Sequence, residues 1–400
     1  MSHTHDHEIR ISDSTEQFTL VRDDNDAALY SVIEEVPAYQ SQLRSVQQDW
    51  IGGHGQDTLY DMSMYFEGQS IDTTQPGRVF LGPLITEVKE DDASALDSAP
   101  LGFLWAVTAG KWLCWTTGNI YVYNLVSNVW TANSPAITGV TDLKEFNGTI
   151  FAARGAGTAY AYSANGTSWT SAGQDDNRAL YFAALPNLDG TATVLWKALL
   201  NNEIKKNANP MTGGDQWAVT PTYIGDSSAY ITNMFLLNGA FVIGKADNLY
   251  QYDADGAIHP LLSGLNINVS NSNFKYVAQW QAGVYFSLIR GMAEATANNA
   301  FNPMGPLVGI DDIGKAGDVV GISADRDWLY VAIDEGTNIH IYKGRETLQG
   351  WEWCPWVYLG TNACATIAVC QHTAIDRRLW FGYGTHTGYV ILSDNPTADS

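Results

Sequence analysis

A short turn followed by an apolar, β-rich run recurs seven times along this chain at near-constant intervals. The copies are GKWLCWT from Gly110, GTIFAAR from Gly148, GTATVLWKAL from Gly190, GAFVIGK from Gly239, GVYFSLI from Gly283, RDWLYVAI from Arg326 and RRLWFGYG from Arg377. Their starts lie 38 to 51 residues apart, about 44 on average. That is the period of repeat architectures in which one small sheet cannot bury its apolar faces alone and must stack on neighbours of its own kind. The cleanest copy, LKEFNGTIFAARGAGTAYAYSANGTSW (Leu143–Trp169), reads as strand, Asn147-Gly148 turn, strand, Gly-rich turn, strand, Asn165-Gly166 turn and a fourth strand starting at Trp169. Asn-Gly suits a tight hairpin because both central residues of a type I′ turn need positive φ.

The strand after each run repeats as well, as IYVYN at Ile120–Asn124, AYAYS at Ala159–Ser163 and LYQYD at Leu249–Asp253. Tyr121/Tyr123, Tyr160/Tyr162 and Tyr250/Tyr252 are spaced by two and so share a sheet face. Trp130, Trp169, Trp217 and Trp353 mark the outer strands. The expectation is an all-β chain: a β-propeller of about seven four-stranded blades. The third and fifth repeats are poorer, and Glu203–Gln216 and Gly291–Pro306 read as loop insertions. The last repeat stops after YVILS without an outer strand. An open edge would leave backbone groups unpaired, so Arg78–Val88 (RVFLGPLITEV) is the expected fourth strand of the C-terminal blade. This divides the chain into an N-terminal arm, 1–77, and a propeller, 78–400, with 78–88 as the closing strand.

Composition agrees with packed β structure, with 14 Trp, 20 Tyr and 13 Phe in 400 residues. The net charge is −22, and residues 1–98 carry 19 acidic against 5 basic side chains. Such a field repels phosphate backbones, which argues against nucleic-acid binding and leaves a solvated acidic surface or an acidic docking arm. No apolar run is long enough to span a bilayer, so no membrane insertion is expected, and MSHTHDHEIR has no apolar core of a secretory signal. Cys114, Cys354, Cys364 and Cys370 lack zinc-site spacing and read as reduced, partly buried thiols; Cys364 and Cys370 share strand parity. His3, His5 and His7 alternate and would share one face of an extended chain, where they could hold a metal; a loose terminus is the plainer reading.

In the arm, Gln17–Arg22 and Ala28–Val36 read as two strands, and Asp49–Gly77 follows with no helical or strand period. A stretch of that length is normally functional or laid over another surface. Trp50, His54, Tyr60, Tyr65 and Phe66 are its candidate interaction residues, with the aromatics as anchors and His54 as a turn residue between glycines.

No catalytic, cofactor or metal residue can be assigned. Asp175-Asp176, Asp311-Asp312 and Asp325/Asp327 are carboxylate pairs of the type glycoside hydrolysis needs, but their contexts suit Asp that bonds its own backbone. Asp253-Ala254-Asp255-Gly256 lacks the remaining calcium-loop ligands and reads as a hairpin turn. Ser163-Ala164-Asn165-Gly166-Thr167-Ser168-Trp169 resembles the Asp-box hairpin of sialidase-type propellers, shortened and with Asn for Asp. The stretch from Tyr123 to Trp130 resembles the kelch outer hairpin. Both are structural turns, and Arg154, Arg178, Arg290, Arg326, Arg345 and Arg377 form no visible carboxylate-binding cluster.

The acidic arm with Trp50–Gln56 (WIGGHGQ) and Ile71–Leu84 (IDTTQPGRVFLGPL), followed by an aromatic-rich propeller, resembles structural proteins of tailed-bacteriophage virions. That resemblance implies a non-enzymatic tail or tail-associated subunit, located in the virion. The propeller would be a rigid body, and the arm would fasten it to other virion subunits in a homo-oligomer or ring. The alternative is a carbohydrate-binding or sialidase-like propeller acting on a cell-surface glycan, with exposed Trp and Tyr stacking on sugar rings.

Overall fold

The computed structural model describes most residues between Ser70 and Leu392. The exceptions are 75–78, 92–94, 172–177, 200, 212–216, 218–219, 263–266, 289–290, 296–300, 307–316, 337, 348–349, 362–363 and 371–376. Before Ser70 it describes only the backbone of short strands, the longest being His5–Arg10 and Gln17–Arg22. The described residues contain strands and turns and no α-helix, and seven four-stranded blades follow one another along the chain. The β-propeller expected from the repeats is the fold.

All seven repeated runs are second strands: Lys111–Trp115, Thr149–Ala153, Thr193–Ala198, Ala240–Lys245, Gly283–Ser287, Leu329–Asp334 and Arg378–Tyr383. The packing explains why these strands carry the signal. The buried apolar residues fall into seven clusters, each shared by two neighbouring blades. A second strand is covered on both faces, so its residues alternate between two clusters and read as a continuous apolar run. In blade 1, Leu113 and Trp115 face blade 2, whereas Trp112 and Cys114 face blade 7. Asn147 (φ 47°) and Gly148 (φ 75°), like Asn238 (φ 50°) and Gly239 (φ 82°), form the left-handed turns foreseen between first and second strands.

Blade 7 is built from both ends of the described propeller. Its inner three strands are Cys364–Cys370, Arg378–Tyr383 and His386–Ile391, and its fourth is Thr86–Glu90, antiparallel with Thr387 opposite Val88. The other edge of Thr86–Glu90 pairs in parallel with Val129–Ala132 of blade 1, Trp130 opposite Glu90. Trp130 Nε1 donates to Thr387 Oγ1 at 2.6 Å, and Thr387 Oγ1 donates to the Val88 carbonyl at 3.0 Å. Around this seam Trp380 packs against Trp112, Tyr123, Trp130 and Tyr389, with ring centroids 4.8 to 5.9 Å away.

Several expectations need correction. The closing strand starts at Thr86, because Pro83 cannot donate to a ladder; Phe80–Leu81 belongs instead to a two-stranded ladder with Ile71–Asp72. Glu203–Asn207 is the third strand of blade 3, and Met292–Ala295 with Phe301–Met304 completes blade 5, so neither stretch is simply an inserted loop. The polar EIKKN strand is tolerated because Lys206 lays its amine 5.3 Å from the Trp196 ring and donates to Asn187 Oδ1 at 2.6 Å. Trp217 lies outside any strand and packs between blades 2 and 3 against Tyr160 and Phe182. The Gly-rich turn of blade 2 contains a strand, Gly155–Ala159, paired with Arg178–Ala179.

Residues 70–74 and 79–82 lie along the outer edge of blade 6. Gly82 donates its N–H to the Ser70 carbonyl at 2.5 Å, and a Cβ at Gly82 would sit 2.3 Å from the Trp356 carbonyl oxygen, so only glycine fits there. Asp72 and Lys343 form a buried ion pair at 3.0 Å. The Lys343 amine also sits 4.2 Å from the Trp328 ring. Arg345 stacks on the same ring at 4.6 Å, bonds Glu352 at 3.0 Å and donates to the Thr74 carbonyl at 3.0 Å. Burial opposes ionisation of Asp72, but the Lys343 ammonium and the hydrogen bonds from Thr74 outweigh it and hold the carboxyl below its usual range.

Two outcomes follow for stability. A chain beginning at Ala95 lacks both the closing strand and the Asp72 partner of Lys343 and should lose on the order of 5–10 kcal/mol, from the burial of Val88, the lost ladder bonds and the stranded ammonium; an unchanged thermal midpoint would contradict the closure. Asp72→Asn should cost about 3–5 kcal/mol by stranding Lys343, and adding Lys343→Met should recover most of it. Because the Asp72 value is depressed, its contribution is present above the ordinary carboxylate range and lost as pH falls through the folded value, which urea titrations across acid pH would follow.

Candidate functional site

The first strand of each blade lines the central axis, and at the end where these strands begin they enclose a cavity of about 280 Å³. Six of the seven blades contribute to it, including Leu101–Phe103 of blade 1 and Thr366–Ala368 of blade 7. Its polar and ionisable side chains come from blades 2 to 5 and blade 7: Thr141, Asp142, Lys144, Tyr181, Thr232, Asn233, Lys275, Tyr276 and Thr366.

The cavity wall is stitched from blade to blade by paired side chains. In blade 2, Thr141 Oγ1 donates to the Leu180 carbonyl at 2.7 Å and Asp142 Oδ2 accepts from the Phe182 N–H at 2.8 Å. In blade 4, Thr232 Oγ1 donates to the Asn273 carbonyl at 2.7 Å and Asn233 Nδ2 donates to the Lys275 carbonyl at 2.8 Å. Both pairs stand at the same register, seven and six residues before the turn glycine (Gly148 and Gly239). A short polar pair there spans to the next inner strand, and that fixes where Tyr181, Phe182 and Lys275 stand.

Electrostatics links these groups through Tyr181 and Asp142. The Tyr181 phenol is raised first by burial; Lys275 opposes the rise, while Asp142 and Tyr276 add to it. Groups from blades 2, 3 and 5 are thus close enough to influence one another. The Lys275 amine lies 5.0 Å from the centroid of Tyr276. Asp142 keeps partial access to the channel, yet protein surrounds it on all sides. Burial pushes its carboxyl up to about 6, opposed by the Phe182 N–H and the Lys144 ammonium. The site therefore combines two ammonium groups, a carboxyl that can hold a proton near neutrality, two phenols and an apolar floor. It is equipped to bind and orient a small polar molecule.

Among the described residues, none of those singled out from sequence lines this cavity. Trp50, Tyr60 and Phe66 are outside the described residues. His54 and Tyr65 are described by backbone alone, Gly53–His54 pairing in parallel with Met64–Tyr65, with Gly53 opposite Trp353 on the outer strand of blade 6. His3 is outside the described residues, and only the backbone of His5 and His7 is described. Among the described residues no cluster of three His, Cys, Asp or Glu could hold a metal.

The carboxylate candidates that are described are turn residues. Asp325 Oδ1 accepts from the Asp327 and Trp328 N–H groups, and its Oδ2 accepts from Tyr330. Asp175-Asp176 and Asp311-Asp312 are outside the described residues. Asp253 to Gly256 forms the hairpin turn, with Gly256 N–H bonded to the Asp253 carbonyl. In the Asp-box-like hairpin, Ser163 Oγ accepts from Gly166 N–H, and Asn165 Oδ1 accepts from Thr167 and Ser168. Asn165 thus acts through its side chain, and of the Asn-Gly pair only Gly166 has positive φ. Arg154, Arg178, Arg326 and Arg345 bond locally in blades 2, 3 and 6, and none of them lines the cavity. The four cysteines are buried and unbridged.

The sequence matches no protein-family profile and no curated protein. Solved structures share the fold. Virginiamycin B lyase from Staphylococcus aureus superposes with a TM-score of 0.56 at 14% identity, over 78% of this chain and 99% of that one. A streptogramin B lyase gives 0.56 at 13% identity, over 77% and 97%. YCF48 from Cyanidioschyzon merolae gives 0.51 at 10% identity, over 76% and 97%. At these identities the likeness is one of fold.

Asp142→Asn keeps an acceptor for the Phe182 N–H but removes the charge. A raised acid destabilises the folded state as pH climbs through its folded value. The variant should therefore melt higher than the parent at about pH 8, and the gap should narrow towards about pH 4.5. A gap independent of pH, measured by thermal melting, would contradict the raised carboxyl.

Proposed function

We propose that the protein is a non-enzymatic interaction protein whose propeller is a rigid body and whose N-terminal region attaches it to neighbouring subunits, as in tailed-bacteriophage virions. The observation that carries this reading is the way residues 70–74 and 79–82 are built into the edge of blade 6. The Asp72–Lys343 pair, the Arg345 bond to Thr74 and the close approach at Gly82 hold this segment's backbone against the blade. From that fixed backbone Leu81 and Leu84 each stand 76% exposed, with Val79 also exposed. Apolar side chains held out on a pinned segment suit burial against a second protein, because little ordering entropy remains to be lost on docking.

The propeller suits the role of a body. Its seven inter-blade clusters and double-edged closing strand leave little freedom for one blade to move against the next. The acidic surface, at −22 overall, favours a basic protein partner over nucleic acid.

Light scattering coupled to size-exclusion chromatography, followed by electron microscopy, tests this on the full chain. The expected result is an assembly of several copies that Leu81→Asp with Leu84→Asp dissociates without changing the thermal midpoint of the subunit. A chain that remains monomeric at high concentration, or an assembly indifferent to both substitutions, would overturn the reading.

A further inference from the structure

The channel cavity is lined by none of the residues on which the attachment reading rests, and its chemistry points elsewhere. We propose that it is a binding site for a small organic carboxylate, received by Lys144 and Lys275 with its carbon skeleton against Tyr181 and Tyr276.

Size sets the first limit. A cavity of about 280 Å³ is at the lower end of the range for small-molecule sites, room for a single sugar or a small aromatic acid and not for a chain of them. Charge sets the second. Among the described residues, neither Lys144 nor Lys275 is in an ion pair; Lys144 feels Asp142 at longer range, and Lys275 lies over the Tyr276 ring. With Asp142 ionised the three groups sum to one positive charge, and with Asp142 protonated to two, so the cavity favours an anion in either state. A polyanion would meet the field of a chain carrying −22.

Geometry sets the third. Asp142 offers one oxygen to the Phe182 N–H, and the backbone of Lys275 is held by Asn233, so both groups are positioned before any ligand arrives. When protonated, Asp142 can donate from its other oxygen to a carboxylate. The groups that act on Asp142 are Lys144 on its own strand and Tyr181 on blade 3, while Lys275 and Tyr276 on blade 5 act on Tyr181 and share the cavity lining. The lining from blades 1 and 7 is uncharged. Binding of an anion beside Asp142 favours its neutral form, so affinity should rise as pH falls through about 6.

Isothermal titration of the full chain with sodium benzoate and sodium glucuronate, against benzyl alcohol and glucose as neutral counterparts, tests the site and separates an aromatic acid from a sugar acid. At least one carboxylate should bind, with its neutral counterpart far weaker. Lys144→Met and Lys275→Gln should each lower affinity about tenfold or more, as expected for loss of one charge-assisted hydrogen bond. Lys144→Arg should retain most of it, and thermal midpoints should confirm that the variants are folded. Failure of both carboxylates to bind, neutral counterparts binding equally well, or binding unaffected in the folded lysine variants would each overturn the proposal. None of these outcomes depends on the oligomeric state, so this site and the attachment reading stand or fall separately.

Discussion

A ring of blades is only as stable as its last joint, and in this protein the joint is one strand shared by two blades. Thr86–Glu90 pairs with the last C-terminal strand on one edge and with the outer strand of blade 1 on the other. Trp130, Thr387 and Val88 complete the seam through consecutive hydrogen bonds in a setting closed to water. Without this joint, blades 1 and 7 would each expose a face rich in tryptophan and tyrosine.

Closure also accounts for the cavity. First strands held at fixed angles around an axis cannot collapse onto one another, so the channel persists as a consequence of the ring. Its polar lining is then put to structural use where Thr141, Asp142, Thr232 and Asn233 bridge inner strands. What remains unbridged by such bonds, chiefly the two lysine ammonium groups, is what a ligand would meet.

The fold was legible in the sequence wherever a strand is buried on both faces, since an apolar run that recurs at a steady period needs a sheet packed on each side of it. The Asn147-Gly148 and Asn238-Gly239 turns were legible for a local reason: positive φ at both positions. The polar strand Glu203–Asn207 was not, because its place is secured by ladder bonds and by Lys206 lying over Trp196, neither of which leaves a pattern in the chain. Arg78–Val88 was recognised as the closing segment, although Pro83 divides its first residues from the strand itself. The candidate site was invisible for a different reason. It assembles single residues from separate repeats, and its only local trace is the Thr-Asp and Thr-Asn pair seven and six residues before the turn glycine in repeats two and four.

The shared seventh blade orders events in time. Val88 leaves the ribosome long before Thr387, 299 residues later, and the two must meet before the ring exists. Until then the N-terminal strand has no antiparallel partner, and blade 1 presents Trp112 and Trp130 to solvent or to whatever shields them. Contacts this far apart in sequence make folding slow to complete. They also act as a proofreading step: a chain that is truncated near its C-terminus cannot hide this aromatic face, and so is marked as unfinished by its own surface.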